Sequence, residues 1–162
     1  MMSNKVSTIR ADHFTIAVNI LLDEAFDQVH GFFLDSGTSL FETLAQVSAE
    51  DASIPVGGRC ATLAAQVKHI AFYLDVTVES VSNPQAPPVD WGYIWQTVAA
   101  VNQSEWELIQ LELRNSYDRI KQLINETPAW TSEVEIGGAI AVIAHTAYHL
   151  GEIRQALCTL KS

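Results

Sequence analysis

Every proline of this chain falls between segments whose apolar residues recur at helical spacing, and none falls within one. A proline inside a helix removes a hydrogen bond and clashes with the preceding turn, at about 3 kcal/mol, so prolines here mark joints. Pro55 precedes one long segment, Pro84, Pro87 and Pro88 lie in the next connection, and Pro128 lies in the last. The intervals predict four long helices. The first runs from about Asp12 to Val29, with Phe14, Val18, Leu21, Ala25 and Val29 as its apolar stripe. A short extra helix follows at Ser39, where Ser39 and Glu42 have capping-box spacing. After the turn Ile54-Pro-Val-Gly-Gly, the second long helix starts from an N-cap at Thr62 and continues to about Ser82, with Leu63, Val67, Ile70 and Leu74 inward. Ser104 and Glu107 form another capping box and open the third, with Trp106, Ile109, Leu113, Ile120 and Ile124 on one face. The fourth follows the stretch from Ser132 to Gly138 and ends near the C-terminus. Strand signals are weak; Val76 to Val81 alternates but continues a helical stripe. Four long helices with mostly short joints imply an all-α fold, an antiparallel four-helix bundle formed by residues 1–162 as a single domain.

Charge narrows the partners. The formal net charge is -10, from 19 acidic and 9 basic side chains, and no cationic stripe is present to displace phosphate counterions. No nucleic-acid partner and no anionic membrane surface is expected. The most apolar run, Ile136 to Ala144, is far shorter than the roughly 20 residues a membrane span needs. The opening residues lack a cationic start leading into an apolar run, and Cys60 and Cys158 stand outside any CxxC spacing. These features lead us to expect a cytoplasmic protein with two free thiols.

The stretch His145-Thr-Ala-Tyr-His149-Leu-Gly-Glu152 carries the candidate chemistry. Residues four apart on a helix lie about 40° apart around its axis, so both imidazoles project together and can share one ion. Glu152 follows on the same stripe, where it could ligate, accept a ring N–H, or face water. A third ligand must come from another helix. His69 is the best candidate, flanking the interior roughly 100° around from the polar face of Lys68, Asp75 and Glu79. Three neutral imidazoles leave open positions, a catalytic pattern for zinc, and nickel, iron or manganese also suit these ligands. Periodicity alone permits a blander reading. Ile143, Ala147, Leu150 and Leu157 make an adequate core stripe, which would turn His145, His149 and Glu152 outward. Against this, Ile136 to Ala144 is apolar all round and should be buried on more than one side. Both readings stay open at this level.

Other residues are weaker candidates. His30, at the end of the first helix, suits the helix dipole, and His13 suits a surface or capping position. Trp91, Trp95, Trp106 and Trp130 are expected as packing anchors. Asp23, Glu24 and Asp27 could be taken for a carboxylate metal cluster, but the Glu-x-x-His pairs of di-iron bundles are absent. Arg154 suits a surface salt bridge better than a substrate anchor.

One resemblance joins these features. Gly57-Gly-Arg-Cys-Ala-Thr62-Leu-Ala-Ala-Gln-Val-Lys-His69-Ile, followed by His145-xxx-His149-x-Gly151-Glu152-Ile, resembles the DinB/YfiT-like superfamily. The likeness extends from the first helix to Leu160 and includes Trp91 and Trp106. It implies an up-down-down-up four-helix bundle in which His69, His145 and His149 bind a divalent metal, often nickel or zinc. Known relatives include transferases and isomerases that use a low-molecular-weight thiol, bacillithiol or mycothiol. Where the superfamily commonly has Gln, this chain has Glu152, a candidate catalytic residue. The expected function is metal-dependent activation of such a thiol against a small-molecule substrate, in a homodimer. The alternatives are a hydrolase that activates water at the same site and a non-catalytic helical binding module.

Overall fold

A computed structural model describes residues 10–55, 60–83 and 85–160. The glycine pair 57–58 of the resemblance, with Arg59 and Pro84, lies outside the described residues. The described residues form seven helices: α1 Ala11–Phe26, α2 Leu40–Leu44, α3 Ala49–Ala52, α4 Leu63–Ser82, α5 Tyr93–Thr97, α6 Gln103–Glu126 and α7 Glu133–Leu160. No strand occurs among the described residues, and none of the described helices is long and apolar enough to cross a membrane.

Local chemistry explains most boundaries. Thr62 caps α4, its Oγ1 accepting from Ala65 N at 3.2 Å. Glu42 Oε2 accepts from Ser39 N at 3.1 Å, completing the predicted capping box of α2. The box that opens α6 is not Ser104 with Glu107. It is Asn102 with Glu105, whose reciprocal bonds measure 3.0 and 2.8 Å. Both patterns obey the same spacing, and a tertiary contact selects the earlier one. Ser53 Oγ accepts from Val101 N at 2.8 Å and donates to Val101 O at 3.1 Å, fixing the backbone just before Asn102. Ser132 plays the same part for α7: Ser132 Oγ accepts from Glu135 N at 3.2 Å. The helix therefore starts at Glu133 and passes straight through Gly137 and Gly138, which were expected in a joint.

One cluster of buried apolar side chains draws on α1, α2, α3, α4, α6 and α7. Cross-helix contacts give the order of packing. Lys68 pairs with Glu112 and Asp75 with Arg119, in the same order along α4 and α6. Asp23 meets Lys121 and Asp27 meets Arg114, in reversed order along α1 and α6. Tyr73 stacks on His145 while His69 reaches His149, again reversed, along α4 and α7. Phe14 near the start of α1 packs at 4.8 Å on Trp130, just ahead of α7.

The inward face of α7 differs from the expected stripe. Its buried residues are Ala139, Val142, Thr146, His149, Leu150, Ile153 and Ala156, while Ile143, Ala147 and Leu157 are half-buried. The stretch expected to be buried on several sides leaves Ile136 36% and Ile140 52% exposed. A near-uniform apolar helix offers no phase to the eye, and its neighbours α1 and α4 choose the inward face.

Helix α1 stops at Phe26, one turn earlier than its stripe suggests, because Glu24 gathers the following backbone. The fully buried carboxylate of Glu24 accepts from the amides of His30, Phe32, Phe33 and Leu34, at 2.6 to 3.1 Å. Gly31, at φ 82°, supplies the left-handed residue this wrap requires. Burial alone would push this carboxyl up, but the four N–H donors outweigh it and hold the pKa at about 2. Asp23 binds His30 at 2.7 Å and Asp27 binds Arg114 at 2.6 Å, so Asp23, Glu24 and Asp27 form no metal cluster among the described residues.

Glu24→Ala should destabilise the protein by about 3 kcal/mol in urea denaturation at pH 7, since four buried donors lose one acceptor. The unfolded carboxyl titrates near 4.5 and the folded one at about 2. The wild-type advantage is therefore complete above pH 4.5 and should shrink as pH falls toward 2. Equal midpoints for the two proteins at pH 7 would refute this role.

Candidate metal centre

Helices α4 and α7 meet where His69 faces His145 and His149. His69 and His149 are 8% and 7% exposed, and His145 is half-buried. Nε2 of His69 lies 3.2 Å from Nε2 of His145, and one ligand atom from each of the three rings falls within 4.8 Å of the others. Bonds of roughly 2.0–2.1 Å around a tetrahedral ion separate its ligand atoms by about 3.4 Å. The three rings are close enough that they could hold a single cation. Of the two readings periodicity left open, the inward one is found.

The sequence builds this convergence in steps. The Thr62 cap sets the start of α4, and its buried stripe through Leu63, Val67, Ile70 and Leu74 fixes the rotation that turns His69 toward α7. On α7 the row Val142, Thr146, Leu150 and Ile153 does the same for the two histidines. Tyr73, one turn beyond His69, stacks on His145 with ring centroids 3.8 Å apart and planes 14° apart. Trp95 of α5 lies over His69 at 4.5 Å, and Tyr148 packs edge-on to His149 at 5.0 Å. These three aromatic walls were not picked out as site residues by sequence reasoning. Tyr73 was detectable, four residues after His69 on one face. Trp95 was not, because only the docking of the 83–102 connection brings it there. Thr62 Oγ1 donates to Ala99 O at 3.0 Å, Ile94 is buried, and Trp91 packs on Phe72 and Tyr73.

Electrostatics favours neutral rings. Burial lowers the pKa of His69, and the neighbouring His149 lowers it further. Burial also lowers His145, to about 4, with help from His149 and His69. His149 is lowered by burial although Glu152 opposes the shift. Uncharged imidazoles keep the lone pairs a metal needs. Glu152 Oε2 lies 2.9 Å from His149 Nδ1, a contact that favours the proton on Nδ1 and leaves the Nε2 lone pair free for a ligand. The Tyr148 hydroxyl donates to Glu152, which pushes the Tyr148 pKa up. Nδ1 of His69 and of His145 has no partner among the described residues.

No family model, curated protein or solved structure matches this chain. The histidine cluster therefore stands on its own geometry.

The remaining candidates fall elsewhere. His30 Nε2 lies 2.7 Å from Asp23 Oδ2, a contact that holds the ring to α1. His13 is exposed on α1, away from the centre, beside Ile16 and Phe32. Trp106 is buried and donates from Nε1 to Val47 O at 2.9 Å, and Trp130 donates to Thr15 Oγ1 at 2.8 Å, both as packing anchors. Arg154, Cys60 and Cys158 are exposed, and the two thiols are free.

Below pH 6.5 the unfolded chain takes up a proton on His145 that the folded chain refuses until about pH 4. Stability is therefore complete above pH 6.5 and falls as pH drops toward 4. Thermal melts of metal-free protein should lose about 3 to 5 °C across that window, with a shallower slope in His145→Asn. Superimposable slopes would separate this ring from the folding equilibrium.

Proposed function

We propose that this chain is an up-down-down-up four-helix bundle of the DinB/YfiT-like kind, with a divalent metal held by His69, His145 and His149. The order of the cross-helix contacts supports the bundle: α4 runs with α6 and against α7, and α1 runs against α6. The convergence of three neutral imidazoles, two buried and one half-buried, carries the metal reading. When bound, an ion such as nickel or zinc lowers the pKa of a thiol at its open position. The substrate of that thiolate is a small electrophile. In S-transfer to a chlorinated aromatic, the S–C bond forms, the C–Cl bond breaks, chloride leaves, and the thiol proton passes to solvent.

The chain's own side chains orient and shield. Glu152 holds the His149 ring in one tautomer, which supports positioning among the roles left open to it by the sequence. Trp95, Tyr73 and Tyr148 present flat apolar surfaces beside the ligands and exclude water from one side. The partly exposed Glu152 also favours a second reading, hydrolysis, because a carboxylate beside the ligands can accept a proton from attacking water.

Elemental analysis of untagged protein, purified without chelators, should find near one ion per chain, lost in His149→Ala. Protein that is metal-free as purified and takes up no nickel or zinc would overturn the proposal. Glu152→Gln should weaken metal affinity about 10- to 100-fold, measured by competition with a chelating dye. Metal-dependent turnover of a chlorinated aromatic with bacillithiol, mycothiol or glutathione tests the thiol step. Thiol-independent cleavage of esters or amides would select the hydrolase.

A further inference from the structure

A cleft of about 900 Å³ opens on the outer side of α4, beneath the connection that follows it. Phe72, Val76 and Glu79 form its floor, on the face of α4 opposite the buried stripe of Val67, Ile70 and Leu74. Pro87, Pro88 and Trp91 form its roof. The three histidines lie outside it, and Trp91 is the wall between. Its ring packs on Phe72 at 5.8 Å and on Tyr73 at 6.1 Å, and Tyr73 stacks on His145. The roof is held in shape: Ala86 N donates to Asn83 O at 2.9 Å, Gly92 N donates to Asp90 Oδ1 at 2.9 Å, and each proline has a fixed φ. A preformed cleft of this volume suits a small molecule.

The lining selects the charge of that molecule. It holds three carboxylates, Asp75, Glu79 and Asp90, and one cation, Arg119. Arg119 is committed, since its Nη2 donates to Asp75 Oδ1 and to Ser116 Oγ. Glu79 and Asp90 have only neutral donors among the described residues, Asn83 Nδ2 at 3.0 Å and the Gly92 amide. Two negative charges therefore stand uncompensated beside exposed aromatic surface, Trp91 at 44% and Tyr93 at 56%. An anion would be repelled by both carboxylates, and the prolines of the roof, having no N–H, give it no donor. A small inorganic cation would leave the apolar walls unused. An organic ammonium ion uses both features, its apolar body against Phe72 and the prolines and its charge near a carboxylate and within about 6 Å of an aromatic face.

We propose that this cleft binds an organic ammonium ion with an apolar body, at a site separate from the three histidines. The inference is independent of the metal reading. Benzyltrimethylammonium is the probe, because its quaternary nitrogen has no lone pair with which to ligate a metal. In calorimetric titration of the full chain at low salt, it should bind saturably with Kd below about 1 mM, equally with added nickel and with a chelator. Phenylacetate should bind about tenfold more weakly or not at all. Glu79→Gln combined with Asp90→Asn should weaken binding of the cation about fivefold, and Trp91→Ala about as much, with unchanged helical circular dichroism. Trp91→Phe, which keeps an aromatic face, should retain more affinity than Trp91→Ala. Glu50→Gln combined with Glu133→Gln removes the same charge at exposed positions outside the cleft and should leave affinity unchanged. No saturable binding, equal binding of phenylacetate, or equal losses in the two charge-neutralised variants would overturn the proposal.

Discussion

The contact between α4 and α7 removes three imidazoles from water, and much of the molecule exists to make that tolerable. A charged ring is disfavoured there, so the rings stay neutral, which suits packing surfaces and is the form a metal would need. Tyr73 and Trp95 cover ring faces that would otherwise meet solvent, and Glu152 receives the one ring N–H that has a described acceptor. The seam is thus a polar network set within an apolar fold. Its stability depends on one variable, the protonation state of the rings.

Helix direction follows from the lengths of the joints. Parallel neighbours need a connection that carries the chain back along the helix, about 30 Å for the 20 residues of α4. The connection of residues 83–102 is long enough, whereas the short joint between α6 and α7 permits only reversal. The long connection would be wasted length if it only returned. It carries α5 instead, and α5 delivers Trp95 to the histidines.

Local rules read well where one residue does the work. Thr62 begins α4 in sequence and in structure, and Ser39 with Glu42 begins α2. The rules stumble where two solutions obey the same rule. Asn102 with Glu105 and Ser104 with Glu107 are equivalent in spacing, and Ser53, distant in the chain, decides between them. On α7, apolar residues on nearly every side hide the phase, so the histidines could be placed inward or outward until α4 was set against them. The pairing of His145 with His149 was legible from spacing, and the choice of His69 from its angle to the polar face. The aromatic walls were not, because they depend on how a connection folds back.

The connection is fastened at both ends of its helical segment: Trp91 against Phe72 and Tyr73, Ala99 to Thr62, and Val101 to Ser53. A flap swinging on a hinge would have to break all of these at once. Trp95 can uncover His69 more cheaply by turning about its own side-chain bonds, a picosecond-to-nanosecond motion for a partly exposed ring. The α5 side of His69 is thus covered by a single indole, which can turn without any of those fastenings giving way.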